Sequence, residues 1–227
     1  MTYAEMAIKY PEMKTILAAK IKKKKRIDDE SWTQHGTYAN VWYIDHTEEV
    51  ADVKEFYKST RVITEYSSVS SISECNSNAQ SFYYNTSARR LYIHTKDSDD
   101  PGGGSYYLMS LVWHRVATRE MEISGEKYKA HLKTEGLPSV NAEVEAFQRG
   151  SLKQSISSIA LNNEGGFYDT ELIDYIYETA EIQIIALGQA RGQTSDPLTI
   201  WSGWTGGFEW TNMVVTIDVF DLRKIVP

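Results

Sequence analysis

Ser81-Phe82-Tyr83-Tyr84-Asn85-Thr86-Ser87-Ala88-Arg89-Arg90-Leu91-Tyr92-Ile93-His94 is the stretch on which the fold class turns. Tyr, Phe and Ile suit a pleated ladder, whereas Asn and Ser favour turns, so the stretch reads as two strands joined by a polar turn. The same chemistry surrounds it. Upstream stand Tyr38, Val41, Trp42, Tyr43 and Ile44, then Phe56, Tyr57, Val62, Ile63 and Tyr66, all residues of half-buried strands. Downstream, Asp97-Ser98-Asp99-Asp100-Pro101-Gly102-Gly103-Gly104 has no side chain able to build a core and reads as a loop. A strand resumes over Tyr106 to Trp113, and Ser124-Gly125-Glu126 forms a turn before another run at Tyr128 to Leu132.

Further along, Gly136-Leu137-Pro138-Ser139 interrupts the pattern, and Val140, Val144 and Phe147 have the spacing of one short amphipathic helix. Ile156 to Leu161 reads as an apolar strand ending in Asn162-Asn163-Glu164-Gly165-Gly166, and Leu172, Ile173 and Ile176 predict a second short helix over Phe167 to Tyr177. The last third reads as a three-strand meander, Glu181 to Leu187, Thr199 to Trp204 and Met213 to Phe220, with separators at Gly188 to Pro197 and Gly206-Gly207. In the last of these, Val215, Ile217 and Val219 point one way and Thr216, Asp218 and Phe220 the other. At the start, Pro11 fits a break after a short Tyr3 to Tyr10 helix or a first helical turn. Met13, Leu17 and Ile21 then have helical spacing, while Thr15, Leu17, Ala19 and Ile21 also alternate, so periodicity leaves helix and strand open there. The run Lys22-Lys23-Lys24-Lys25-Arg26, followed by Asp28-Asp29-Glu30, reads as a solvated loop of partly cancelling charge. The reading is therefore mainly β with two or three short helices, divided near Gly136 into modules 1–135 and 136–227.

Composition narrows the function. The 227 residues carry 24 Lys+Arg against 31 Asp+Glu, a net charge of −7, which argues against coating a nucleic-acid duplex by phosphate neutralisation. One thiol, Cys75, excludes a disulfide framework within the chain and any thiolate metal cluster. Apolar runs such as Ile182 to Leu187 fall far short of the roughly 20 residues of a spanning helix. Met1 to Ile8 lacks the basic-then-apolar order of a signal peptide.

Three segments in one order resemble the tail-tip or baseplate hub proteins of long-tailed bacteriophages and related gene-transfer particles. The first is Ser81 to Pro101, an aromatic pair, a polar turn, then an Arg-Leu-Tyr strand running into an Asp-rich turn closed by Pro. The second is Leu137-Pro138-Ser139-Val140 followed by Ile156 to Asp169, with its Asn, Gly, aromatic and Asp turn. The third is Ile200-Trp201-Ser202-Gly203-Trp204-Thr205-Gly206 with Val215 to Arg223. Trp204 departs from the smaller or charged residue expected after the Gly, and the Lys22 to Arg26 run has no counterpart. The chain stops at Pro227, where longer hub proteins would continue.

The resemblance implies a structural virion protein of β-barrel or β-sandwich modules, assembled in the bacterial host cytoplasm and located at the tail tip. It implies a homo-oligomeric ring, a trimer by hub likeness or a hexamer by likeness to distal tail proteins, which contacts the tail tube or distal tail protein and further tip proteins. Genomic DNA would pass through the ring without specific binding, aided by acidic side chains repelling phosphate. Strand edges that are hazards in a monomer would be continued by neighbours. It also favours a strand and turn over Ser67 to Ser73, which by themselves fit a Ser-rich linker equally well.

No catalytic, cofactor or metal site is expected. Asp97-Ser98-Asp99-Asp100 lacks the spacing of a calcium loop and reads as a plain turn. His35, His46, His94, His114 and His131 have no metal-ligand spacing, and no nucleophile elbow or phosphate-binding glycine loop is present. Glu143 with Glu145 and Glu178 with Glu181 read as exposed faces, not as a glycosidase pair. Trp201, Trp204 and Trp210 fall around one turn and form the candidate interaction surface. They motivate the alternative function of a host-attachment module that stacks glycans on them; ordinary hairpin packing accounts for them equally.

Overall fold

The structure, a computed structural model, describes residues 1–57, 62–103, 106–133, 141–144, 152–155 and 158–221. It is mainly β, with three short helices at Tyr3–Lys9, Ile72–Ser77 and Phe167–Asp174. The chain divides into two compact units, one made of residues 1–22 with 114–227 and the other of residues 23–113. The boundary expected near Gly136, between 1–135 and 136–227, lies outside the described residues, and the units exchange chain inside the strands Lys14–Arg26 and Tyr106–Ala117.

In the 1–22/114–227 unit the strand Glu181–Ala190 lies between two antiparallel neighbours, Lys14–Arg26 and Leu198–Trp210. Val214–Asp221 pairs with Leu198–Trp210, and Ser158–Asn162 pairs with Val214–Asp221. The expected meander is therefore present, and Val215, Ile217 and Val219 are buried as the alternation requires. Gly206 and Gly207 do not separate strands, however. They lie inside Leu198–Trp210 at a bulge between Thr205 and Phe208, which lets the strand expected to end at Trp204 continue to Trp210 before the turn into Val214–Asp221. The free side of Ser158–Asn162 is taken by residues 131–133, through Lys133 N to the Ala160 carbonyl (2.9 Å) and Asn162 N to the His131 carbonyl (2.6 Å).

The 23–113 unit sets Val50–Tyr57, Ile63–Glu65 and residues 106–113 against a five-stranded sheet in the order Thr33–Gln34, Trp42–Asp45, Arg90–His94, Ser81–Asn85, Ser67–Ser68. Val50, Val53 and Leu108 from one side meet Ile44, Phe82, Leu91 and Ile93 from the other, a sheet-on-sheet core. Ser81–Asn85 and Arg90–His94 form the hairpin read from the sequence. Among the described residues no sheet closes into a barrel: strand orders are open-ended at Ile63–Glu65, Thr33–Gln34 and Ser67–Ser68.

Three local expectations fail for identifiable reasons. Asn141–Val144 is a strand paired with Leu152–Ser155 and not part of a helix, because a spacing of four fits a strand face as well as a helical one. Val140 and Phe147 lie outside the described residues. Only Ser67–Ser68 of the Ser67 to Ser73 run is a strand; Ser71 then caps the helix Ile72–Ser77 by accepting from Glu74 N at 3.2 Å. The basic run is strand, not loop. Lys14–Arg26 is continuous, and Lys23, at 0% exposure, takes the next inward position after Ala19 and Ile21. Acids distant in sequence neutralise the run: Lys22 meets Glu181 at 3.2 Å and Lys23 meets Glu48 at 2.7 Å.

Removing one member of a buried ion pair is more damaging than replacing both by apolar groups of similar volume. Glu48→Ala, which takes the carboxylate from beside the fully buried Lys23 ammonium, should lower stability by about 3 kcal/mol, whereas Lys23→Met with Glu48→Met should lose under about 1 kcal/mol. Urea unfolding of the two variants checks the order.

Candidate functional site

The three tryptophans sit on the single strand Leu198–Trp210, and their surroundings differ. Trp201 is opposite Ile184, is buried, and lies over Gly203, where a Cβ would run into its ring. Its Nε1 has no hydrogen-bond partner. Trp204 pairs with Phe220 on the other face of the sheet, and the Phe220 ring lies over Gly206, where a Cβ would collide with it. Trp210 pairs with Val215, is 58% exposed, and holds Phe208 at a ring distance of 5.9 Å. The bulge keeps Thr205, Phe208 and Trp210 on one face, opposite Val219, Ile217 and Val215. Trp201 and Trp210 are therefore roughly 25–30 Å apart along the strand, and Trp204 faces away from both. They are not brought together as one stacking platform. What the hairpin does present is exposed apolar side chains at separate places: Trp210 and Met213 at its tip, Phe220 on the opposite face, and Leu198 at the far end of the first strand.

A buried polar cluster anchors this hairpin to the third helix. Asn163, fully buried, accepts from Tyr168 N at 2.8 Å and donates to Asp169 Oδ1 at 2.9 Å and to the Thr211 carbonyl at 3.1 Å. It does the work of a helix cap where Gly166, in the left-handed region at φ 73°, has no side chain to offer. Behind it, His114 Nε2 and Tyr168 Oη are 2.8 Å apart and Tyr177 donates to Glu171 at 2.9 Å. Burial pushes the Tyr168 hydroxyl well above its ordinary range and, together with Lys129, pushes the His131 imidazole down. Both groups therefore stay neutral near neutral pH, as suits a packing role. The sequence alone marks the Asn162 to Gly166 turn but not the capping role of Asn163, whose local signal is an Asn four residues before a helix that opens at Phe167 behind Gly166.

The other candidates resolve into local structure. Asp99 accepts from Thr95 Oγ1 at 3.0 Å and Asp100 from Gly102 N at 2.9 Å, which makes the Asp97 to Asp100 segment a hydrogen-bonded turn. Glu181 is engaged by Lys22, and the side chains of Glu143 and Glu145 lie outside the described residues. Among the described residues, no group of three or more His, Cys, Asp or Glu is placed to hold a metal ion. In the 23–113 unit Glu55 is fully buried and accepts from Tyr66 at 2.5 Å, while its carboxylate pushes the neighbouring Tyr57 hydroxyl up to about 12.

In the other unit, Arg115 (2.6 Å) and Lys20 (2.5 Å) both bind Glu126 at the edge of a cavity of about 160 Å³ lined by Ile123, Tyr128 and Ile185 among others. The two cations hold Glu126 down at about 2. No protein-family model, no curated protein and no solved structure matches the chain.

Because the folded value of Glu126 is below its ordinary 4.5, its contribution is full above 4.5 and disappears as pH falls toward 2. The stability gap between the parent chain and Glu126→Gln should be on the order of 1 kcal/mol near neutral pH, after solvent screening of a one-third exposed carboxylate. Chemical denaturation across that acid range should show the gap closing.

Proposed function

We propose that this chain is a structural, non-catalytic component of a bacteriophage tail, a hub-like protein that forms part of a ring at the tail tip and joins the tube end to further tip proteins. The observation that carries this reading is the tip of the C-terminal hairpin, where Trp210 and Met213 are 58% and 55% exposed, with Phe208 beside Trp210. Large apolar side chains exposed at a hairpin tip are aggregation hazards in a monomer and ordinary contacts in an assembly. The hairpin is also the third of the segments that resemble hub proteins. A net charge of −7 suits a ring through which DNA slides without adhering.

The glycan-attachment alternative loses its original motive, because Trp201 is buried and Trp204 lies across the sheet from Trp210. Enzymatic function has no comparable support among the described residues.

Sedimentation of the full chain should give an assembly, three copies of the 25.9 kDa chain being the favoured ring and six the alternative. Trp210→Glu with Met213→Glu should shift it toward single chains while leaving circular dichroism unchanged. A parent protein that sediments as one chain at high micromolar concentration overturns the proposal.

A further inference from the structure

The hairpin of Met121–Ile123 and Glu126–Tyr128 turns at Ser124 and Gly125 and lies against the sheet of the 1–22/114–227 unit, where Ile123 and Tyr128 pack with Ala18, Ile185 and Leu187. Beside this contact is the cavity of about 160 Å³ that Glu126 borders. Ile123, Tyr128 and Ile185, none more than 5% exposed, form its floor, and the exposed residues Ser124, Pro197 and Thr199 form its mouth. Lys20, opposite Gln183 in the sheet, supplies a wall.

Two donors in this lining have capacity to spare. Tyr128 Oη is buried and makes no hydrogen bond, a state that is costly unless something accepts from it. Burial and the nearby Glu126 carboxylate raise this hydroxyl above its ordinary range, so it keeps its proton. Among the described residues Lys20 Nζ ion-pairs with Glu126 alone, at 2.5 Å, and it shares that carboxylate with Arg115, so N–H groups of its ammonium remain available.

We propose that the cavity binds a short-chain monocarboxylate, which accepts from Tyr128 Oη and Lys20 Nζ and rests its alkyl stem on Ile123 and Ile185. A carboxylate accepts and has no proton to give, which matches a lining with two unspent donors. The apolar floor favours it over phosphate or sulfate, which are polar on every face and would lose hydration there. A water occupies about 30 Å³ of liquid, so the cavity has room for about five groups of that size, as in propionate or butyrate. Glu126 opposes the ligand's charge and limits its affinity. The site needs no assembly through the C-terminal hairpin, and its residues are not those of the tail reading.

Methyl spectra of the full chain labelled at isoleucine, titrated with sodium propionate and sodium butyrate, test the assignment. Ile123 and Ile185 should shift with a Kd of about 1 mM, while Ile44 and Ile93 in the core of the other unit stay in place. Tyr128→Phe should weaken binding about tenfold without lowering the unfolding midpoint, because the hydroxyl it removes has no partner in the protein. Glu126→Gln should tighten binding about threefold or more, because it removes the competing acceptor and its charge. The site is overturned by unmoved Ile123 and Ile185 signals at tens of millimolar acid, or by an equal response to propionamide, butyramide or inorganic phosphate. Unchanged affinity in Tyr128→Phe or weaker binding in Glu126→Gln overturns it as well. Sedimentation of the parent chain is a separate measurement, so a failure here leaves the ring standing.

Discussion

The register of Lys14–Arg26 is the constraint from which the larger unit follows. Its residues Lys14 to Ile21 pair with Gln189 to Ile182, so that Ala19 and Ile21 face inward beside Ile184 and Ile182. A slip of one position would drive Lys20 and Lys22 into that core and turn Ala19 and Ile21 to water. The same alternation delivers Lys23 to a buried position, where the carboxylate of Glu48 meets its ammonium. Lys20 and Lys22, on the opposite face, meet Glu126 and Glu181. The strand is thus held by hydrophobic burial on both faces, Ala19 and Ile21 on one and Ile16 and Ala18 on the other, and by acids from remote segments that meet Lys20 and Lys22.

That dependence on remote acids explains why the basic run could not be read correctly. Five cations in succession carry no local sign of burial, since Glu48 and Glu181 are identified as partners only once the chain is folded. By contrast, the Phe82 hairpin, the Ser124-Gly125 turn and the C-terminal meander were legible because their signals are local: alternation, and residues that accept a positive φ, here Ser124 at 53° and Gly125 at 82°. The helix Ile72–Ser77 was legible in principle. Ser71 followed three residues later by Glu74 is a capping signature, as is Thr2 followed by Glu5 before the first helix, where both halves of the box form.

The candidate surface was legible in part. Three tryptophans within ten residues announce exposed aromatic area, yet strand parity and one bulge decide which of them reaches water. Parity could have separated Trp204 from Trp201 beforehand; the bulge at Gly206-Gly207, which returns Trp210 to the face of Trp201, depends on the pairing with Val214–Asp221. The cavity beside Glu126 is harder still to foresee. Lys20, Tyr128 and Ile185 come from three distant segments and meet only through the pairing of Lys14–Arg26 with Glu181–Ala190 and the packing of a hairpin against it.

The discontinuous unit has a consequence for how the molecule is made. A chain emerging from the ribosome presents residues 14 to 21 long before residues 182 to 189, their pairing partners, have been synthesised. The intervening 23–113 unit contains its own core and can consolidate during that interval. The nascent N-terminal strand must wait with the edge that Glu181–Ala190 will cover left open, and the lysines that punctuate it act as gatekeepers, raising its solubility until the last third of the protein arrives.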